Sequence, residues 1–507
     1  MVIINSIKLP LDHSFSDLKN KAEKKAGFKI DKLIIKKKSV DARGGVSFVY
    51  TVDALRKGEK ETINRLNVPK ATSPLRPMVV GSGPAGLFCA YVLSLSGLCP
   101  IVFERGDMVD KRAKKIDLFF DTSTLDTESN IQFGEGGAGT FSDGKLTTLI
   151  SSPYKEEVLR VFVECGAPEE ILYQAKPHIG TDKLRIVIKN LREKIISLGG
   201  EFHFNEKVSD IEIKNKKITK VITDTDEYPC SDVVFAIGHS ARDTFEMLYN
   251  KGIDMIGKAF SLGVRIEHLQ KDINKAQYKN FCDSPYLGAA DYKLSHHAKT
   301  GRGVYTFCMC PGGVVVGAAS EEGMVCTNGM SYYARDKVNA NSALLVSITP
   351  DDFSDSHPLS GIKLQRMYEK RAYTSGGGKF FAPVQKVGDF YDGRVSDSFY
   401  KVEPSYCPGV TPYDMNKLFP EYITDSMKEA ITQMGRKLKG FDDREAVLTG
   451  IEARSSSPVR ILRNEEYMSN IEGIFPSGEG AGYAGGITSS AIDGIKCGLS
   501  IIDKYIT

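Results

Sequence analysis

The residues best suited to chemistry begin with a glycine turn, Gly81–Ser82–Gly83–Pro84–Ala85–Gly86. Alone, such a string is weak evidence, because many turns match it. Its surroundings strengthen it. Met78–Val79–Val80 reads as a short buried strand running into the turn, and Ala85–Leu95 reads as a helix leaving it. A second apolar strand, Pro100–Phe103, ends at Glu104, twenty-three positions after Gly81. Each residue type has a physical task there. Gly81 permits the tight turn, Gly83 lets backbone approach a pyrophosphate, and Gly86 lets the helix pack on the strand. Pro84 and Ala85 open a helix whose free N–H groups attract phosphate. Glu104 is the acid expected to accept both hydroxyls of an adenosine ribose, with Arg105 beside it. The alternative is a purely structural strand–helix turn.

Two further glycine-rich stretches separate a flavin dinucleotide from a nicotinamide one. The run Asn130–Gly144 holds Gly136, Gly137, Ala138, Gly139, Thr140 and Asp143, but follows no clear strand. We read it as backbone packed along the middle of a long cofactor. The run Gly473–Ile487 holds Gly478, Glu479, Gly485 and Gly486, with a helix from about Thr488. A long ligand needs chain segments distant in sequence, and FAD is long. Glu479 is expected to reach the ribityl chain or a phosphate. The last helix, opening at Ile487, is expected to face the flavin pyrimidine, where negative charge develops on reduction. Val208 and Gly238 are placed with the same cofactor.

Catalytic candidates are residues that could converge near the flavin ring. Asp143 and Lys145 could bond the flavin or an anion, with a satisfied turn as the alternative. His239 follows the strand Val233–Ile237 and Gly238, and is a candidate proton donor; a turn histidine bonded to backbone is the alternative. His178 has similar standing. Arg454 and Arg460 bracket Ser455–Ser456–Ser457–Pro458, a loop suited to a carboxylate or phosphate, or to a structural salt bridge. Cys308 and Cys310, two apart on an expected strand, should share one face, with Met309 opposite. A disulfide there would be strained, and no second ligand pair suggests zinc, so they read as buried, unreactive thiols and no metal is expected.

These residues must be positioned by a chain of 507 residues, long enough for two or three domains. No segment reaches the roughly 18 apolar residues of a spanning helix. Met1–Pro10 lacks the features of a secretory signal, and ten scattered cysteines fit reduced thiols, so a cytoplasmic protein with no membrane role is expected. Residues 1–75 hold 16 Lys and Arg against 8 Asp and Glu, whereas the whole chain carries only +3. This front piece reads as a small basic α+β unit: a strand at Val2–Lys8, a capped helix at Ser14–Ala26, and strands Ile30–Val40 and Val46–Val52 around a hairpin turn. Its lysines are either solvated or an anchor for nucleic acid. Pro69, Pro74 and Pro77 mark a linker. Beyond it, Leu184–Leu198 reads as an amphipathic helix, with strands at Glu201–Phe204, Val208–Ile213 and Lys217–Thr223. The expected layout is α/β. Residues 1–70 form the basic unit, 77–250 with 445–507 a Rossmann-type FAD-binding domain, and 251–444 an inserted mixed α+β substrate domain.

Several longer strings carry a family resemblance. They are Lys38–Arg43, Phe133–Leu146, Pro177–Asp182, Ala236–Asp243, Phe307–Gly313, Asn328–Ser331 and Glu452–Arg460. Through nearly its whole length the chain resembles the uncharacterised FAD-dependent dehydrogenases, NAD(P)/FAD-dependent oxidoreductases of the two-dinucleotide-binding flavoprotein superfamily. Ser455 stands where Thr is expected, which keeps the hydroxyl. The resemblance implies one FAD domain with a substrate domain inserted in it, and implies no particular substrate. The expected activity is hydride transfer between flavin N5 and a small organic molecule, with His239, Arg454 and Lys145 as the catalytic candidates. Only one well-formed nucleotide turn exists, so NAD(P)H is expected at most as a transient reductant. An FAD-dependent RNA-modifying enzyme and a flavin-binding sensor without turnover are the alternatives.

Overall fold

The computed structural model describes residues 1–61 and 65–506. Residues 62–64, inside the expected 1–70 unit, lie outside the described set. The front unit is a three-stranded antiparallel sheet with Ser47–Leu55 between Val2–Leu9 and Lys32–Asp41. One helix, Phe15–Ala26, covers it. Its start is a capping box: the Asp17 N–H donates to Ser14 Oγ at 3.1 Å, and the Ser14 N–H to the Asp17 carboxylate at 2.8 Å. The unit is tied to the body through its edge strand. The Lys38 N–H donates to the Tyr173 carbonyl at 2.7 Å, and the Ala175 N–H to the Lys38 carbonyl at 2.9 Å.

The second layer is a five-stranded parallel sheet in the order Ile474–Pro476, Val233–Phe235, Met78–Val80, Ile101–Glu104, Glu201–Phe204. The first three of these strands are buried along their whole length, as their unbroken apolar runs require. The helix Pro84–Ser96 is apolar all round and buried but for Pro84 and Leu95, because Ile487–Asp503 packs along it. Small residues permit the approach: a Cβ on Gly494 would stand 2.0 Å from the Ala85 carbonyl oxygen. A three-stranded meander, Val208–Lys214, Lys217–Thr223 and Glu227–Pro229, flanks this layer.

The third layer is a seven-stranded sheet centred on Phe260–Leu269, which pairs with Asn339–Ile348 on one side and Val447–Glu452 on the other. This corrects the boundary expected at 445. Val447–Glu452 belongs to the sheet of the intervening stretch, and the chain leaves that sheet only after Glu452. The helices Val109–Thr122 and Lys155–Glu164 are among those the sequence reading did not place. The whole is a mixed α/β architecture, and among the described residues no helix is long and apolar enough to cross a membrane.

Candidate functional site

A cavity of about 870 Å3 opens where four of the parallel strands end. Gly81, Glu104, Ala236 and Ser477, each at or just beyond a strand's carboxyl end, line it. Open parallel sheets place ligands there. Its far wall comes from the seven-stranded sheet, at Thr306–Cys310 and Glu452. The volume sits in the upper part of the range for ligand pockets.

The glycine turn is built as its sequence demands. Gly81 has φ of +98°, and a Cβ there would lie 2.5 Å from the Ala236 carbonyl oxygen. Gly86 admits no Cβ, which would fall 1.8 Å from the Gly81 carbonyl oxygen. Gly83 differs. Its backbone is unstrained, and a Cβ would meet only the Gly137 Cα at 3.8 Å, so the missing side chain keeps the cavity open. A Cβ on Gly238 or Gly485 would meet nothing within 4 Å. The helices Pro84–Ser96 and Ile487–Asp503 both start at this cavity, capped by Gly83 and Gly486 with no side-chain cap bond. Their first N–H groups are free to serve an anion or a carbonyl oxygen. Two bare helix starts and open glycine floors fit a long ligand with a pyrophosphate near its middle.

Glu104 is more constrained than its sequence reading suggests. One carboxylate oxygen accepts from the Ser82 N–H at 2.9 Å and the Ser82 hydroxyl at 2.7 Å. The other accepts from the N–H groups of Gly106 and Gly134, both at 3.0 Å. Glu104 thus joins the first glycine turn to the second glycine string. A ribose beside it shares a carboxylate whose acceptor positions are already engaged. Arg105 lies 4.4 Å over the Phe133 ring and pairs with Asp243 at 2.6 Å and Glu128 at 2.7 Å, and with Val208 it lines the same end.

The second glycine string is held by a residue the sequence reading missed. Arg112, wholly buried, donates to the carbonyls of Asn130 (2.8 Å), Ile131 (2.9 Å), Gly134 (3.2 Å), Glu135 (2.6 Å) and Gly137 (3.0 Å). Burial pulls its pKa down to about 9, which leaves it charged at neutral pH. An arginine in an undistinguished helix carries no sequence signal for that task. Gly137, Ala138, Gly139 and Asp143 line the cavity. Gly136, Thr140 and Gly478, expected at the cofactor, stand behind it. A Cβ on Gly136 would strike Thr140 Oγ1, Thr140 is 1 % exposed and binds Thr181 through its carbonyl, and Gly478 packs on Ala85. Gly86 likewise serves helix packing.

Glu479, Gly485, Gly486 and Ile487 line the third side. Burial raises the Glu479 carboxyl to about 7, with Lys258 pulling the other way.

The catalytic candidates converge on the cavity, yet most are already committed. Arg454 is buried and its guanidinium holds Glu369 through bonds of 2.8 and 2.7 Å and the Ser320 hydroxyl at 2.5 Å. Glu369 is shared with Arg242, at 2.7 and 2.9 Å. These two arginines hold the Glu369 carboxyl down at about 2 despite its burial. This corrects the anion-binding expectation for Arg454, whose fork is filled. Arg460, across the serine loop, donates to the Gly482 carbonyl. His239 opens to the cavity, and its Nδ1 lies 3.0 Å from the Ser240 hydroxyl, which donates to Gln132. Shielding from bulk water, then the charges of Arg454 and Arg242, lower its pKa to about 3. The imidazole is neutral, which corrects the expectation of a pKa suited to proton donation. Lys145 donates to the Met309 carbonyl, which spans the two halves of the cavity, and Asp143 pairs with Arg335 at 2.5 Å. His178 donates from Nε2 to the Tyr333 carbonyl, 3.1 Å away, and its ring stacks on that of Tyr333.

Cys308 and Cys310 do not share a face. The strand bulges between Phe307 and Cys310, Cys308 takes φ of +40°, and the alternation breaks. Cys308 opens into the cavity while Cys310 is buried, with Arg265 donating to the Cys308 carbonyl at 2.7 Å. Desolvation by the cavity walls pushes the Cys308 thiol up to about 12, although the residue is exposed, which corrects the expectation that it is buried. Among the described residues no cluster could hold a metal ion.

The family described as "FAD-dependent protein, C-terminal domain-like" matches residues 259–455, the stretch that holds all seven strands of the larger sheet. An uncharacterized protein of Clostridium beijerinckii is 47% identical over 525 residues, covering 99% of this chain and 98% of its own. Among solved structures, L-proline dehydrogenase from P. horikoshii is 10% identical, covers 86% of this chain and 95% of that one, and has a TM-score of 0.37. CtdE in complex with FAD is 11% identical, with coverage of 85% and 84% and a TM-score of 0.33. At such scores these two likenesses carry no argument. The family match and the near full-length relative do: the chain belongs to the family of FAD-dependent proteins that its sequence resembles, and its cofactor is FAD.

Proposed function

We propose that this protein is an FAD-dependent oxidoreductase acting on a small organic substrate held against the seven-stranded sheet. The observation that carries the reading is the continuity of one cavity. It runs from a nucleotide-type glycine turn, past two bare helix starts, to a walled chamber on another sheet. In this reading the parallel sheet and its helices form a Rossmann-type FAD domain. Glu104 and Arg105 hold the adenosine end, the Gly83 helix start faces the pyrophosphate, and the Ile487 helix start faces the flavin pyrimidine. Bound there, FAD supplies hydride transfer at its N5 atom.

The chain's own groups then position the substrate and exclude water. Lys145 anchors the Met309 strand over the site and keeps two N–H donors. The His239 imidazole, neutral and tethered through Ser240 to Gln132, can hydrogen-bond a substrate without adding charge. Arg335, Arg454 and Arg265 all have carboxylate partners, which leaves Lys145 as the cation facing the substrate. That pairing favours substrates recognised by shape and hydrogen bonds, with at most one anionic group set toward Lys145.

The test is anaerobic stopped-flow reduction of the FAD-loaded protein by NADH, NADPH and a panel of neutral and anionic metabolites. The expected result is bleaching of the flavin band by at least one organic reductant. Failure of all of them, with dithionite still effective, would overturn the reading in favour of a flavin-binding protein without turnover.

A further inference from the structure

We propose that the front unit carries a second ligand site, separate from the FAD cavity, for a small aromatic carboxylate. A pocket of about 270 Å3 opens between the helix Phe15–Ala26, the sheet, and Tyr286 of the body. It shares no wall residue with the FAD cavity. Its size admits one ring system rather than a nucleotide.

The walls are aromatic and carry no acid. Phe48 and Tyr50, neighbours on one face of the central strand, form the floor, with His13 set edge-on to both at 5.8 and 5.3 Å. The imidazole is fixed by a 2.7 Å bond between its Nδ1 and the Pro10 carbonyl. Phe15 and Tyr286 stand at the rim, 59% and 56% exposed, an apolar edge left in water. Such walls suit a flat ring, stacked or edge-on.

The head-group chemistry comes from Lys38. Its neighbours Lys8, Lys32 and Lys36 each reach a carboxylate, at 3.6, 3.0 and 4.0 Å. Lys38 reaches none among the described residues, and its ammonium sits 4.1 Å above the Phe48 ring instead. A ring face compensates a half-buried ammonium only in part, and burial lowers the pKa of Lys38 accordingly. Beside it, Tyr50 is 3% exposed and burial raises its phenol to about 12, so it remains a neutral O–H group. One cation and one neutral donor match a monoanion. A phosphate dianion would be left half-compensated. A carboxylate one or two bonds from an aromatic ring satisfies both the head and the walls.

The experiment uses the FAD-loaded full chain and indole-3-acetate as probe, followed by saturation-transfer NMR and calorimetry. The chain has no tryptophan, so the indole signals belong to the ligand alone. Saturable binding is expected below about 1 mM. It should weaken about tenfold or more for indole-3-acetamide, which lacks the charge, and for Lys38→Gln, with FAD content unchanged. Tyr286→Ala, a rim change clear of the unit's core, should weaken it about threefold or more. Absence of saturable binding would overturn the proposal. So would equal binding of acid and amide, or Lys38→Gln and Tyr286→Ala both binding as the wild type does.

Discussion

The two ends of the FAD cavity are built on opposite plans. At the cofactor end the groups facing inward are mostly backbone: Gly83, Gly137, Gly238, Gly485 and Gly486, with two helix starts that no side chain caps. At the far end the inward groups are side chains, and most of the charged ones are paired, Arg454 with Glu369, Arg335 with Asp143 and Glu452 with Arg265, while Lys145 rests on the Met309 carbonyl. A backbone floor is indifferent to everything except shape and phosphate, and it suits a fixed cofactor. A wall of paired charges presents little net field, so it discriminates by fit. The difference also explains why one end can be read from sequence and the other cannot. Glycines that must bend or approach betray themselves by type and spacing. Ion pairs between residues 85 or 192 positions apart, as in Glu369–Arg454 and Asp143–Arg335, leave no local trace.

The strongest challenge to this contrast is Arg112, a single side chain on which the cofactor-end backbone depends. Arg112→Met would strip five carbonyls of their donor in a buried setting. A loss of about 3–5 kcal/mol is expected, read as a fall in the thermal midpoint together with loss of bound FAD. A variant that kept both would mean the glycine string holds its shape unaided.

Gly83→Leu separates binding from folding. The backbone there is unstrained and the added side chain points into open space, so the fold should survive with a near-normal thermal midpoint for the FAD-free protein. FAD affinity should fall about a hundredfold, near 2.7 kcal/mol. Retained yellow colour at wild-type affinity would remove Gly83 from the cofactor path. By contrast Gly86→Ala, whose Cβ would fall on the Gly81 carbonyl, should damage the fold itself.

The pH dependence of stability tests His239. Its folded pKa of about 3 lies below the ordinary 6.5. The unfolded chain therefore binds the extra proton first as pH falls. The native state loses stability between about pH 6.5 and 3, by up to about 1.4 kcal/mol per pH unit, and loses nothing from this group above 6.5. His239→Asn should flatten that part of the stability profile, measured by urea unfolding from pH 7 to pH 4.5. An unchanged slope would mean the imidazole is charged in the folded protein.

The sequence reading located the glycine turn, its strand and helix, Glu104, the last helix and the front unit, because propensity, capping and glycine sterics are local. It misplaced the boundary at 445, because only tertiary pairing recruits Val447–Glu452 to the distant sheet. It set Cys308 and Cys310 on one face, because a bulge is invisible to strict alternation. It gave His239 an ordinary pKa, because the burial that lowers it and the approach of Arg454 are tertiary effects, and only Arg242, three positions on, is local. Arg112 was missed for the same reason: its five acceptors are carbonyls, which every residue has.

The account stands most directly on where FAD lies. A crystal structure of the FAD-loaded protein should place the pyrophosphate at the Gly83 helix start and the flavin pyrimidine at the Ile487 helix start. The ring should face Met309 and Cys308. A pyrophosphate seated on Gly136–Gly139 instead, or a flavin ring turned away from the seven-stranded sheet, would contradict it.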